Sequence, residues 1–168
     1  MELKPLATNE YIGHSGVKYI FEYFETDSFE HLDYDLCRQT YAACFYGEEI
    51  VIVYHGNKNT WGLVGGSIEK GETFEQTLKR EIKEESNMEV LNFAPVGYQK
   101  CIDTRDSSYI YQLRYACTAR PYGTFVSDPA GTITEMKLIN PKDHKKYFDW
   151  GVIGEKIIER ATTLKNNL

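Results

Sequence analysis

Three glutamates, Glu81, Glu84 and Glu85, crowd the run Arg80-Glu81-Ile82-Lys83-Glu84-Glu85. On a helix, positions three and four apart share a face, so these carboxylates fall within one arc. Like charges so placed repel one another. The partner that offsets such repulsion is a divalent cation preferring hard oxygen ligands, Mg²⁺ or Mn²⁺. Upstream, Gly65-Gly66 lets backbone amides and carbonyls approach a ligand closely, because neither residue has a Cβ. The plain alternative for the acidic run is a solvated Glu/Lys-rich surface helix.

The spacing decides between these readings. Thr73 is placed as an N-cap with Gln76 three residues on, a capping-box pattern. Phe74, Leu78 and Ile82 recur every four residues and make one apolar stripe. Gly66, Glu72, Arg80, Glu81, Ile82, Glu84, Glu85 and Met88 follow the order Gly-x5-Glu-x7-Arg-Glu-aliphatic-x-Glu-Glu-x-Gly-aliphatic. This stretch resembles the Nudix box. Two positions depart from it. Asn87 stands where the family has glycine, and Asn is the next best residue at a left-handed C-cap. Val64 precedes the glycine pair, where many members have proline.

The resemblance implies an enzyme that cuts the P–O–P bridge of a nucleoside diphosphate linked to another moiety. It implies Glu81, Glu84 and Glu85 as metal ligands, with the Gly65 carbonyl beside them. Arg80 and Glu72 become a supporting pair, Arg80 orienting the carboxylates of the box. Glu135 occupies a place where many members carry a further acidic ligand or base. Arg38, at the start of a strand, is a candidate for reaching a phosphate, Gly66 lies against the substrate, and Trp61 is a candidate for flanking a base. Lys100, Arg105 and Arg114 are further cations able to line a cleft. The alternative is a non-catalytic Nudix module that binds a nucleotide or metabolite as a regulator; such modules commonly lose box carboxylates, and this chain keeps them. A Nudix-fold isomerase would need a cysteine and histidine set that the chain does not display.

The elements that must hold this site are mostly strands. Gln39 to Tyr46, a turn at Gly47-Glu48-Glu49, and Ile50 to His55 predict a hairpin. Thr60 to Val64 leads into the glycine pair. After the box helix, Val90 to Ile102 and Ser108 to Arg120 predict two long strands, and Thr132 to Ile139 another, ended by Pro141. Residues 151 to 165 space as an amphipathic helix. The expected fold is α/β, a mixed sheet between helices, similar to the α/β/α sandwich of Nudix domains. Residues 38–168 form that domain, and residues 1–37 an N-terminal extension. Within the extension, Val17 to Phe24 is strand-like; it is an edge strand, a cover for the core, or a dimer contact.

At 168 residues and 42% hydrophobic content the chain suits one domain with a full core. The net charge of −6 argues against a nucleic-acid polymer or an anionic membrane as partner. It remains compatible with a small nucleotide or diphosphate substrate, because bound metal supplies positive charge. Cys37, Cys44, Cys101 and Cys117 show no zinc spacing and sit in strand-like runs, which predicts buried reduced thiols. With no signal-type core and no bilayer-length apolar run, the expected location is cytoplasmic.

Overall fold

The computed structural model describes residues 3–13 and 15–168; Met1, Glu2 and His14 of the N-terminal lead lie outside the described residues. The elements are β1 (Ala7–Ile12), β2 (Lys18–Glu25), β3 (Cys37–Tyr46), β4 (Glu49–His55), β5 (Thr60–Ser67), α1 (Phe74–Ser86), β6 (Met88–Asp103), β7 (Tyr109–Pro121), β8 (Ile133–Ile139) and α2 (Gly151–Lys165). All eight strands join one sheet in the order β1-β2-β6-β7-β3-β5-β4-β8. Among the described residues only the β3–β7 pair is parallel. The result is the expected mixed sheet between two helices.

Alternation along the strands divides the core between the two faces. Leu78 and Ile82 of α1 pack on Val51, Val53, Val64 and Leu113. Ile153, Ile157 and Ala161 of α2 pack on Phe45, Ile50, Ile52 and Leu63. Strand β4 is covered on both faces, which is why Ile50 to Val53 reads as an unbroken apolar run. Val64 sits inside β5, paired with Ala42 and buried under α1. The four cysteines are buried free thiols.

The N-terminal lead is built into this frame. Strand β2 pairs with β6 through the register Tyr19↔Asp103 to Glu25↔Gly97, and β1 forms the edge outside it. The segment between β2 and β3 folds over the α1 face. Phe29 is buried there, edge-on to Phe74 and Tyr115. Tyr34 stacks on Phe74, and its hydroxyl donates to the Glu72 carbonyl. On the other face the sheet curls towards α2. Asn9 Nδ2 donates to the Trp150 carbonyl at the start of α2 (3.1 Å), and Arg160 Nε donates to the Val96 carbonyl on β6 (2.9 Å).

Candidate active site

Helix α1 is fixed at both ends by local chemistry. The Thr73 hydroxyl accepts the Gln76 amide (3.1 Å), and the Gln76 side chain accepts the Thr73 amide (2.9 Å), closing a capping box. At the other end Asn87 adopts the left-handed conformation, φ 55° and ψ 43°, as the box glycine would. Asn87 does more than glycine could. Its Nδ2 donates to the Thr124 carbonyl (3.2 Å), tying the helix end to the loop between β7 and β8.

Between these caps, Arg80 holds the carboxylates in place. Its Nε and Nη2 donate to the two oxygens of Glu72, both at 2.8 Å. Such a two-pronged pair is directional as well as strong. Nη1 reaches Glu81 Oε1 (2.8 Å) and Glu84 Oε2 (3.3 Å), and Nη2 also reaches the Ser67 carbonyl (3.0 Å). Glu72 is further held by the Glu69 amide and the Thr77 hydroxyl. These donors hold its carboxyl at about 2, far below the ordinary glutamate value; the Arg80 hydrogen bonds are the main cause.

The glycine pair ends β5 against this cluster. The Gly65 amide donates to Glu85 Oε1 (2.8 Å) across the helix–strand contact. Gly65 has φ +152°, and a Cβ there would stand 2.2 Å from the Thr40 carbonyl on β3. A Cβ on Gly66 would stand 2.6 Å from the Glu81 carboxylate. The absence of both side chains therefore makes room for the strand and for the acid. Glu85 is only 5% exposed. Burial pushes its carboxyl up to about 8, opposed by the Gly65 amide and reinforced by Glu81, Asp128 and Glu84. Burial also raises the Glu81 carboxyl, against the pull of Arg80.

Asp128 is a residue that sequence reasoning missed. It lies in the loop between β7 and β8, buried, and its charge acts on both Glu81 and Glu85. Its carboxylate accepts from the Ala130 amide (3.1 Å), the Thr132 hydroxyl (3.0 Å) and the Ile133 amide (3.2 Å). The Asp128-Pro129 pair is a local turn signal, but no nearby residue indicates that the turn folds back onto α1.

Glu135 is a correction. Met136 and Leu138 pack under α1, whereas Lys137 lies over Trp61 and Tyr147 on the opposite face. Glu135 shares the Lys137 face, is exposed, and does not join the carboxylates. Continuous pairing from Ile139 through Glu135 fixes that face, and the register irregularity follows at Thr134, between Glu135 and Ile133. Trp61 likewise sits away from the acidic cluster, on the α2 face between Tyr54 and Tyr147. Arg38 is exposed at the start of β3; its carbonyl accepts the Ile68 amide just beyond the glycine pair.

Among the described residues no three acidic, histidine or cysteine side chains converge as a finished metal cage. The donor set nevertheless suits a hard divalent ion. Glu81, Glu84 and Glu85 offer oxygen only, and among the described residues Arg80 is the one cation hydrogen-bonded to them. The buried Glu85 carboxyl, opposed by three acids, is the group that such an ion would relieve most.

Comparison with known proteins agrees with this geometry. The NUDIX domain family matches residues 38–160. NAD-capped RNA hydrolases NudC from Pectobacterium carotovorum and Pectobacterium atrosepticum are 40% identical over 55 residues, which is 32% of this chain and 21% of theirs. The chain thus aligns with about a fifth of the length of these relatives. Among solved structures, the pyrophosphohydrolase BsRppH of Bacillus subtilis superposes with a TM-score of 0.58 at 15% identity, over 79% of this chain and 77% of that one. A NUDIX-family hydrolase from Clostridium perfringens superposes with a TM-score of 0.57 at 19% identity, over 77% and 95%. These structures share the fold. Nudix hydrolases generally need a divalent metal, in keeping with the acidic face of α1. With the family matched over most of its length, the chain belongs to the Nudix hydrolases.

Proposed function

We propose that this protein hydrolyses the diphosphate bridge of a nucleoside diphosphate linked to another moiety, using Mg²⁺ or Mn²⁺, in the cytoplasm. One observation carries the reading: Arg80 and Glu72 lock the acidic face of α1 against a glycine pair with no room for side chains. Glu81, Glu84, Glu85 and the Gly65 carbonyl would hold the metal. When bound, it supplies positive charge against the diphosphate and acidifies a water. The protein's own part is placement and proton handling. Arg80 fixes the carboxylates through its fork on Glu72 and its contacts to Glu81 and Glu84. One of the glutamates Glu81, Glu84 and Glu85, or a glutamate on a later loop, would take the proton of the attacking water. Gly66, whose missing Cβ lets the Glu81 carboxylate approach the strand, would lie against the substrate.

The test is a substrate panel with each metal: nucleoside triphosphates, oxidised nucleotides, ADP-ribose, nucleotide sugars, dinucleoside polyphosphates and NADH. The NudC resemblance adds NAD-capped RNA to that panel, although the chain's net charge of −6 disfavours long RNA. The expected result is metal-dependent release of a nucleoside monophosphate or phosphate from at least one diphosphate. Normal metal binding without turnover of any of them would leave a non-catalytic binding module.

A further inference from the structure

Arg114 is a buried cation with no carboxylate beside it. It is 5% exposed, on β7, in the face of the sheet that curls towards α2. Its Nη2 donates to Gln112 Oε1 (3.0 Å), its Nη1 to the neighbouring Leu113 carbonyl (3.3 Å), and its guanidinium lies 4.9 Å from the Tyr41 ring centroid. Its Nε has no hydrogen-bond partner among the described residues. The Tyr23 hydroxyl, fully buried, has none either; it stands 2.8 Å from where a Cβ on Gly97 would lie, and Gly97 is the cross-strand partner of Arg114. Two orphaned buried donors close together are costly unless a shared acceptor arrives. No acidic side chain supplies that acceptor: the ion pairs among the described residues do not include Arg114.

The location ties this group to the acidic site. Register places Gly97, Arg114, Tyr41 and Gly65 on one row across β6, β7, β3 and β5. Arg114 is therefore two strands from Gly65, about 10 Å at roughly 4.8 Å per strand. The next row carries Gln99, Gln112, Gln39 and Ser67. Its amides form a chain, Gln99 Nε2 to Gln112 Oε1 (3.1 Å) and Gln112 Nε2 to Gln39 Oε1 (2.5 Å). Gln112 and Gln39 are half-buried, so the polar row leads outward from Arg114. Tyr41 stands between Arg114 and Gly65 in that row: its ring faces the guanidinium, and its Cδ1 lies 2.7 Å from where a Cβ on Gly65 would be.

We propose that Arg114, with the Tyr23 hydroxyl and the Gln112–Gln39 row, receives an anionic group of the substrate, a phosphate oxygen or a carboxylate, on the α2 face beside Gly65. This rests on the hydrolase reading and narrows it to substrates with an acidic group on the moiety beyond the cleaved bridge. Tyr41 must swing aside to admit that group, since its ring covers the guanidinium. An arginine kept only as a strut would behave differently. A strut is missed by the fold when it is replaced, whereas an unpaired buried charge is not.

The experiment compares wild type, Arg114→Met and Arg114→Lys by thermal melting in EDTA, with and without inorganic pyrophosphate. The wild type is expected to melt several degrees higher with pyrophosphate. Arg114→Met should melt no lower than wild type and lose that shift, and Arg114→Lys should keep part of it. A wild type indifferent to pyrophosphate would overturn the proposal. So would an Arg114→Met protein that melts well below wild type or keeps the full shift. If Arg114→Met does not fold, Arg114→Lys decides: a pyrophosphate shift smaller than that of wild type upholds the receptor, and a full shift overturns it. With any diphosphate that is turned over, Arg114→Met should raise KM at least tenfold with kcat little changed. An unchanged KM alongside loss of turnover in Glu85→Gln would remove this proposal and leave the hydrolase standing.

Discussion

A carboxylate at Glu85 has one strong donor, the Gly65 amide, and three acidic neighbours in Glu81, Asp128 and Glu84. Its burial serves ligand binding and works against the metal-free fold. Replacing it by glutamine keeps the shape and removes the charge. Turnover should fall by about 100-fold or more, while the protein in EDTA melts at least as high as wild type. Near-normal activity in a kinetic assay would remove Glu85 from the metal set. Glu72 is the opposite case. Its carboxyl is held at about 2 by Arg80, below its ordinary 4.5, so it contributes stability at pH above 4.5. That contribution is lost as the pH falls from about 4.5 through about 2. With the side chain 16% exposed, it is worth about 2 kcal/mol at neutral pH after allowing for solvent screening. Glu72→Gln should cost that amount at pH 7 and nearly nothing at pH 2, measured by urea unfolding. Parallel pH profiles for the two proteins would show that Arg80 does not depend on Glu72.

At the scale of elements, the end of β5 makes two glycines serve different needs. A Cβ on Gly65 meets the backbone of β3, which cannot move without breaking the pairing of Tyr41 with Gly65. A Cβ on Gly66 meets the carboxylate of Glu81, the free end of a side chain. Gly65→Ala should therefore cost on the order of 2–4 kcal/mol of stability, read by thermal unfolding. Gly66→Ala should fold within about 1 kcal/mol of wild type and lose activity, because Glu81 is pushed off its Arg80 contact. Equal stability loss in both would mean that Glu81 is as rigid as the backbone. The contrast also marks what the sequence could reveal. The capping box at Thr73 and Gln76, the left-handed Asn87 and the box spacing are local, so their residues announce them. Glu135 depended on the register of β8 against β4, which sets it on the Lys137 face. Asp128 depended on where a long loop returns. Neither is written in nearby residues, because both follow from pairing with β4 and packing against α1.

At the scale of the molecule, the N-terminal lead is the part whose place in the fold the sequence left open. We hold residues 1–37 to be an extension of a domain spanning residues 38–168, but an extension that closes an edge. Strand β2 covers β6 from Gly97 to Asp103, and β1 in turn covers β2. Tyr23 is fully buried in the α2-face core, and Phe29 and Tyr34 brace the start of α1. A chain beginning at Glu30 would uncover one edge of β6, whose unpaired amides and carbonyls invite pairing with another copy. It would also strip Phe29 from Phe74 and the Tyr23 ring from Gly97. The truncated protein should therefore self-associate at micromolar concentration, seen by light scattering on a sizing column. Its remaining monomer should melt several degrees below the full chain. A truncated chain that stays monomeric and keeps full turnover would mean that β3 to β8 close their own core, and that β1 and β2 serve a partner surface.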